Sequence, residues 1–137
     1  HPLPGQLDQA IGGILEKHET NLVILAGYMK RLGPQTLTRF QDRILNIHPA
    51  LLPKFGGKGM YGRSVHEAVL DVGERVTGVT IHIMDEEYDH GPTVAQCEVP
   101  VLDNDTVDSL MERVLDKEHE FYVQALQNLS QGEIKLP

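Results

Sequence analysis

Leu22-Val23-Ile24-Leu25-Ala26 is a continuous apolar run closed by Gly27. Five apolar residues without alternation, ended by a turn former, read as a strand buried on both faces. Upstream, Leu7, Ala10, Ile11, Ile14 and Leu15 recur at helical spacing, with charges at Asp8, Glu16 and Lys17. Gly12 and Gly13 interrupt that helix, as expected where another element packs close. Downstream, Pro34 opens a second helix carrying Leu37 and Phe40, and Arg43 to Ile47 reads as a second short strand. Helix and strand alternate, which predicts an α/β architecture with a largely parallel sheet. Ligand sites in such sheets lie beyond the carboxyl ends of the strands. The segments to examine are therefore Gly27 to Pro34, Asn46 to Gly62 and Asp85 to Pro92.

The rest of the chain continues the pattern. Pro49 to Gly62 holds two prolines and four glycines and has no periodicity, so it reads as a long loop, a feature often tied to function. Ser64 with Glu67 three residues on predicts a capping box for a helix through Leu70. Thr77 to Met84 alternates, with Val79, Ile81 and Ile83 on one side and Thr80 and His82 on the other. Thr93 to Val99 is another strand. Thr106 to Leu129 is a long amphipathic helix with Val107, Leu110, Val114, Phe121, Ala125 and Leu129 on its apolar side. There is no internal repeat and no second-domain boundary, so residues 1–137 are expected to belong to one domain.

Composition narrows the function. Apolar residues make up 40% of the 137 residues and the formal charge is −8. An acidic chain without tryptophan does not suit a nucleic-acid partner, which needs clustered cations or stacking aromatics. No apolar run is long enough to cross a membrane. Cys97 is the one cysteine, which excludes an internal disulfide and, in an apolar alternating stretch, predicts a buried thiol in a reducing, cytoplasmic setting.

The chemistry gathers in two segments. Asn46 and His48 are two residues apart at a strand end, so their side chains share a face, and Pro49 keeps His48 extended. An amide beside an imidazole can meet a developing oxyanion. Without context, the same pair is also a turn cap beside a solvated histidine. Asp85-Glu86-Glu87-Tyr88-Asp89-His90-Gly91-Pro92 sets four carboxylates within five residues. Such a run is usually a solvated loop; the alternative is that one carboxylate turns inward to pair with His48 and handle a proton. Spacing does not choose among the acids. His82 reads as a hydrogen-bonded structural residue, and His18, His66 and His119 as surface or packing residues. No histidine has metal-ligand spacing. Gly56-Gly57-Lys58-Gly59 has the composition of a phosphate cradle without the spacing of one.

Taken together, these segments resemble the folate-dependent formyltransferases. Asn46-Ile47-His48-Pro49-Ala50-Leu51-Leu52-Pro53 is similar to the family's active-site signature. Lys54 to Gly62 resembles its glycinamide ribonucleotide branch, Asp85 to Pro92 its folate loop, and Leu25-Ala26-Gly27-Tyr28-Met29 the strand end bordering the pterin pocket. The resemblance implies a Rossmann-like fold with helices flanking the sheet. It implies transfer of a formyl group from 10-formyltetrahydrofolate to glycinamide ribonucleotide, without a metal. It also implies Asn46, His48 and Asp89 as catalytic residues, with an Asp89-paired imidazolium and a raised His48 pKa. Met29, Arg31 and Leu32 with Glu86, Glu87, Tyr88 and Asp89 would bind the folate. Glu118 and Pro49 would face the acceptor substrate, and His82 would support the site.

One departure stands out. The family opens with a strand and a Gly/Ser/Asn loop that holds the substrate phosphate at a helix N-terminus, and nothing in His1 to Thr20 resembles it. The expectation is that Leu22 to Ala26 is paired by an N-terminal segment or by a second copy of the chain, and that the isolated chain does not turn over. The competing readings are formyltetrahydrofolate hydrolase, methionyl-tRNA formyltransferase and a non-catalytic folate-binding fragment. Lys58 to Gly62 argues against the first two, and the negative charge against a tRNA partner.

Overall fold

The computed structural model describes residue 3 and residues 5–28, 30–87 and 89–137. Its elements are α1 (Gln6–Lys17), β1 (Val23–Ile24), α2 (Pro34–Arg39), β2 (Ile44–His48), α3 (Arg63–Val72), β3 (Val76–Ile83), β4 (Thr93–Pro100) and α4 (Val107–Ser130). The expected alternation of helices and strands is present. The four strands form one sheet in the order β1-β2-β3-β4.

Strand direction departs from the expectation. β1 and β2 are parallel, but β2 with β3 and β3 with β4 are antiparallel. The reason lies in the connections. A parallel neighbour needs a crossover, usually a helix, and β3 and β4 have only a loop between them. The long loop after β2 together with α3 brings the chain back so that β3 runs against β2. Residues 85–92 therefore leave β3 beside Ile44, the first residue of β2, where Met84 N–H donates to the Ile44 carbonyl (2.8 Å). The loop then doubles back over the sheet.

β2 is the centre of the packing. Ile44 packs with Leu25, Leu32 and Phe40, against Ile11, Leu15 and Leu37 of α1 and α2. Leu45 packs the opposite way, with Ile81, Ile83, Tyr122 and Ala125. Val79, Leu110 and Val114 continue that second layer together with Val69 of α3. The alternation read in β3 holds: Val79, Ile81 and Ile83 face α4, and Thr80 and His82 face the other way, although both are fully buried. β1 is shorter than expected, two residues with half-buried side chains. Among the described residues no strand pairs with its outer edge, so the segment or second copy expected there is not among them.

Local signals explain the helices unevenly. α1 packs on α2 through Gly12, where a Cβ would lie 2.9 Å from Arg39 Nη1; at Gly13 there is open space. Leu7 and Ile14 of the predicted apolar stripe stay 43% and 59% exposed, so only its Ile11–Leu15 side is used. Asp8 of α1 caps α2 from outside, accepting from Gln35 N (2.8 Å), Thr36 N (2.9 Å) and Thr36 Oγ1 (2.6 Å). The capping box predicted at Ser64 does not form. The helix starts earlier, after Gly62 at φ 55°, so Ser64 lies inside the first turn and Glu67 pairs with Arg63 instead. A capping box does form at Thr106 and Ser109 of α4, and the half-buried Asp105–Arg113 pair braces it with contacts of 2.7 Å.

Tyr122 fastens α4 to the parallel strand pair. Its hydroxyl lies 3.0 Å from the Leu25 carbonyl and 3.1 Å from that of Leu45, and the ring is 8% exposed. Burial pushes its ionisation well above the ordinary phenol range, so the hydroxyl remains a donor. The Leu45 carbonyl also accepts from Leu25 N, whereas the Leu25 carbonyl depends on Tyr122. Tyr122→Phe is expected to cost about 1–2 kcal/mol. A lower denaturant midpoint with an unchanged slope would show it; an unshifted midpoint would mean the hydroxyl holds nothing together.

Candidate active site

The site lies on the face of the sheet turned away from α4. β2 and β3 pair with Asn46 opposite His82 and His48 opposite Thr80. Directly opposed residues in an antiparallel pair project to the same face, so the ladder delivers an amide, two imidazoles and a hydroxyl together. Thr80 serves the backbone: its hydroxyl donates to Ala50 O (2.7 Å) and accepts from Leu52 N (3.1 Å). That fixes the turn directly after His48-Pro49. Pro49 is half-buried.

Asp89 completes the cluster. Of the four carboxylates in the acidic loop, it is the one that turns inward, at φ 54°, with its side chain 11% exposed. Oδ1 lies 3.5 Å from His48 Nδ1 and 3.6 Å from His82 Nε2. Oδ2 accepts from Gly57 N–H at 2.9 Å. The glycine-rich stretch thus cradles an anion, and the anion is a carboxylate of the same chain. Gly56 has to be glycine for this, since a Cβ there would lie 2.5 Å from Leu52 Cδ2 and 3.2 Å from Asp89 Cβ. The remaining acids stay at the surface, where Asp85 holds His90 (3.1 Å) and Glu87 N (2.8 Å).

Electrostatics at His48 reverse the expectation. Burial lowers its pKa, and this outweighs the opposite pull of Asp89 and of the Phe55 carbonyl. The resting imidazole is therefore neutral near pH 7. Its Nε2–H donates to the Phe55 carbonyl at 2.8 Å, which leaves Nδ1 as the nitrogen facing Asp89. Burial would push the Asp89 carboxyl up, but the hydrogen bond from His82, the neighbouring His48 and the Gly57 N–H together hold it below the usual carboxylate range. The resting pair is thus a carboxylate beside a neutral ring able to take up a proton.

His66, read as a surface or packing residue, is buried on α3 with Nδ1 unpartnered. Burial lowers its pKa, as does any charge that develops on His48. No sequence signal marks it, because its nearness to His48 comes from the way α3 packs.

The formyl transferase family model matches residues 4–126. The chain belongs to the formyl transferase family. It is 46% identical over 134 residues to the chloroplastic phosphoribosylglycinamide formyltransferase of Arabidopsis thaliana, covering 98% of this chain and 46% of that protein. Glycinamide ribonucleotide transformylase 1 from Symbiobacterium toebii superposes with a TM-score of 0.85 at 39% identity, covering 96% of this chain and 60% of that one. A formyltetrahydrofolate deformylase from Pseudomonas syringae pv. tomato superposes with a TM-score of 0.79 at 26% identity, covering 89% and 39%. The chain thus spans less than half the length of its plant relative. The Rossmann-like formyltransferase fold expected from the resemblance is the fold observed.

The other residues that the formyl transferase resemblance singles out are distributed as follows. Arg31 is exposed and donates to the Glu86 carbonyl, tying the Gly27–Pro34 segment to the acidic loop. Leu32 is 8% exposed and belongs to the core beside Phe40 and Ile44, so only its backbone is free to meet a ligand. Glu86 and Glu87 are exposed. Met29 and Tyr88 lie outside the described residues. Among the described residues no three His, Cys, Asp or Glu side chains converge as a metal site requires, and no helix is long and apolar enough to cross a membrane.

Glu118, on α4, is half-buried without an ion-pair partner among the described residues, and burial pushes its carboxyl up to about 7. A raised folded-state value means the folded chain holds this proton where the unfolded chain has released it. The contribution to stability is whole below the ordinary glutamate range and is lost as pH rises through about 7. Glu118→Gln should therefore melt higher than the parent at pH 8, with the gap narrowing toward pH 5. Thermal melts across that range are the measurement, and a constant gap would contradict it.

Proposed function

We propose that this chain carries the formyl-transfer site of a phosphoribosylglycinamide formyltransferase. The reaction moves the formyl group of 10-formyltetrahydrofolate to the amine of glycinamide ribonucleotide, a step of de novo purine biosynthesis. The observation that carries the reading is the inward turn of Asp89, which sets one carboxylate oxygen 3.5 Å from His48 and 3.6 Å from His82, beside Asn46. The names of its relatives support it. We place the reaction in a reducing, cytoplasmic compartment.

In this mechanism the amine nitrogen bonds to the formyl carbon, and the carbonyl electron pair moves onto oxygen. The Asn46 amide and His48 meet that oxyanion. The amine proton passes to the neutral His48, directly or through Asp89 or a water, and the Asp89 carboxylate stabilises the resulting imidazolium. The carbon–nitrogen bond to the folate then breaks, its nitrogen takes up a proton, and tetrahydrofolate leaves. The lowered His48 pKa fits this order of events, because the ring is a proton acceptor at rest and a cation only once negative charge develops beside it. Met29, Arg31, Leu32 and Glu86 to Asp89 would line the folate pocket, largely through backbone groups. Pro49 and Glu118 would face the acceptor.

A second reading is hydrolysis, with water in place of the amine; the likeness to the deformylase favours it. Incubating the intact gene product with 10-formyltetrahydrofolate, with and without glycinamide ribonucleotide, separates the two. Formate released at the same rate under both conditions would establish hydrolysis instead.

For the transferase, Asp89→Asn is expected to lower kcat by about 10²–10⁴-fold and to leave folate binding within a few-fold. Near-parental turnover would remove Asp89 from the mechanism. Asn46→Ala and His48→Ala should each lower kcat more than they raise KM, because an oxyanion exists only beyond the ground state. The double variant should lose less than the two losses combined. Strictly additive losses would mean that the two residues do not share one oxyanion.

A further inference from the structure

We infer that Asp8, on α1, is a positioning residue for the folate co-substrate: its carboxylate holds the start of α2 and so fixes residues 30–33 directly before it. The inference rests on the folate-lining role proposed above for Arg31 and Leu32. Neither of those residues can do its part unless the backbone between β1 and α2 is held in one place.

α2 has six residues, too few to be stable alone. The first turn of a helix leaves backbone N–H groups without helical partners. The residue in the capping position is Gly33, which has no side chain to offer them. Asp8 supplies the cap from another helix. Oδ2 accepts from Gln35 N at 2.8 Å, and Oδ1 accepts from Thr36 N at 2.9 Å and from the Thr36 hydroxyl at 2.6 Å. A Cβ on Gly33 would fall 2.3 Å from Asp8 Cγ, so the carboxylate stands where a capping side chain would otherwise be.

This cap is strong for so short a helix. Asp8 is 7% exposed and Thr36 is fully buried, so water does not compete for the contacts. Burial acts to raise the Asp8 pKa, but the hydrogen bonds from Thr36 and Gln35, with Arg39 nearby, outweigh it. The cap is therefore a full charge at neutral pH, and a charged acceptor binds N–H groups more strongly than a neutral one. At the other end of α2, Arg39 pairs with Glu16 of α1 at 2.9 Å; this pair is exposed and adds less. Leu32 stands two residues before Pro34, and its side chain sits in the core beside Phe40 and Ile44. Arg31 donates to the Glu86 carbonyl. A displaced α2 start would thus move the Leu32 backbone and the tie to the acidic loop together. Among the described residues the Asp8 side chain has hydrogen-bond partners only in Gln35 and Thr36, so its influence on the folate passes through α2.

The test uses the intact gene product, with 10-formyltetrahydrofolate and glycinamide ribonucleotide each varied in turn. Asp8→Ala is expected to raise the KM for 10-formyltetrahydrofolate about tenfold, the size of a lost cap expressed as a smaller fraction of molecules with the segment in place. The kcat and the KM for glycinamide ribonucleotide should stay within about twofold, as for a loss of binding alone. A cap that merely supports the fold would lower the melting temperature and leave all three constants unchanged. A parental folate KM in Asp8→Ala therefore overturns the inference, as does an equal rise in both KM values. Should Asp8→Ala not fold, Thr36→Val removes one donor to the same carboxylate and keeps both backbone N–H groups. A rise of about threefold in the folate KM alone supports the inference, and an unchanged constant overturns it. Arg31→Ala alters the segment itself. An unchanged folate KM there would overturn the pocket reading and the inference with it. A raised folate KM in Arg31→Ala beside a parental one in Asp8→Ala overturns the inference alone.

Discussion

The carboxylate of Asp89 is the acceptor toward which the site is organised. It receives an N–H from the glycine loop and faces two imidazoles that stand on different strands. A carboxylate with its side chain 11% exposed would be costly without partners, and each partner comes from a different part of the chain. The loop at 56–57, β2, β3 and the acidic loop are therefore held to one another by a single charge. Removing the carboxylate would leave Gly57 N–H without its acceptor and both rings without the charge they share. Geometry and chemistry at this point are the same interaction.

The antiparallel run of β3 makes such convergence possible. Had β3 been parallel to β2, the acidic loop would have left the sheet at the same end as His48, with a short reach. It leaves instead beside Ile44 and doubles back, which places Asp89 over the middle of β2. Gly91 permits the return, since a Cβ there would fall 1.8 Å from the Ile83 carbonyl. The rule that sites lie beyond the carboxyl ends of strands led to His48. It also named the acidic loop, although that loop reaches the site from the other end.

Legibility in the sequence followed the range of the interaction. β3 and α4 are long and periodic, and their apolar faces were largely readable, although Tyr122, buried on α4, was not among the residues read. The capping signal at Ser64 failed because Gly62 starts the helix earlier, a backbone choice that composition does not display. The opposite partner of His48 could be narrowed to four acids but not chosen, because the choice depends on the positive φ of Asp89 and on the glycine at 56. The direction of the His48 shift could not be read at all. Proximity to a carboxylate is legible in a motif; the extent of burial is a property of the assembled fold.

The Gly56-Gly57-Lys58-Gly59 stretch shows how a weak motif can be half right. Its composition pointed to backbone N–H groups offered to an anion, and that is the physical use of Gly57. The anion, however, is internal. A backbone donor engaged by Asp89 is not offered to a phosphate, so the Gly57 N–H serves the carboxylate. Its work is to hold Asp89 ionised: the N–H that Gly57 gives to Oδ2 adds to the pull of the two histidines against the cost of burial. An ionised Asp89 is what a neutral His48 requires if it is to become a cation during the reaction and return to a neutral ring afterwards.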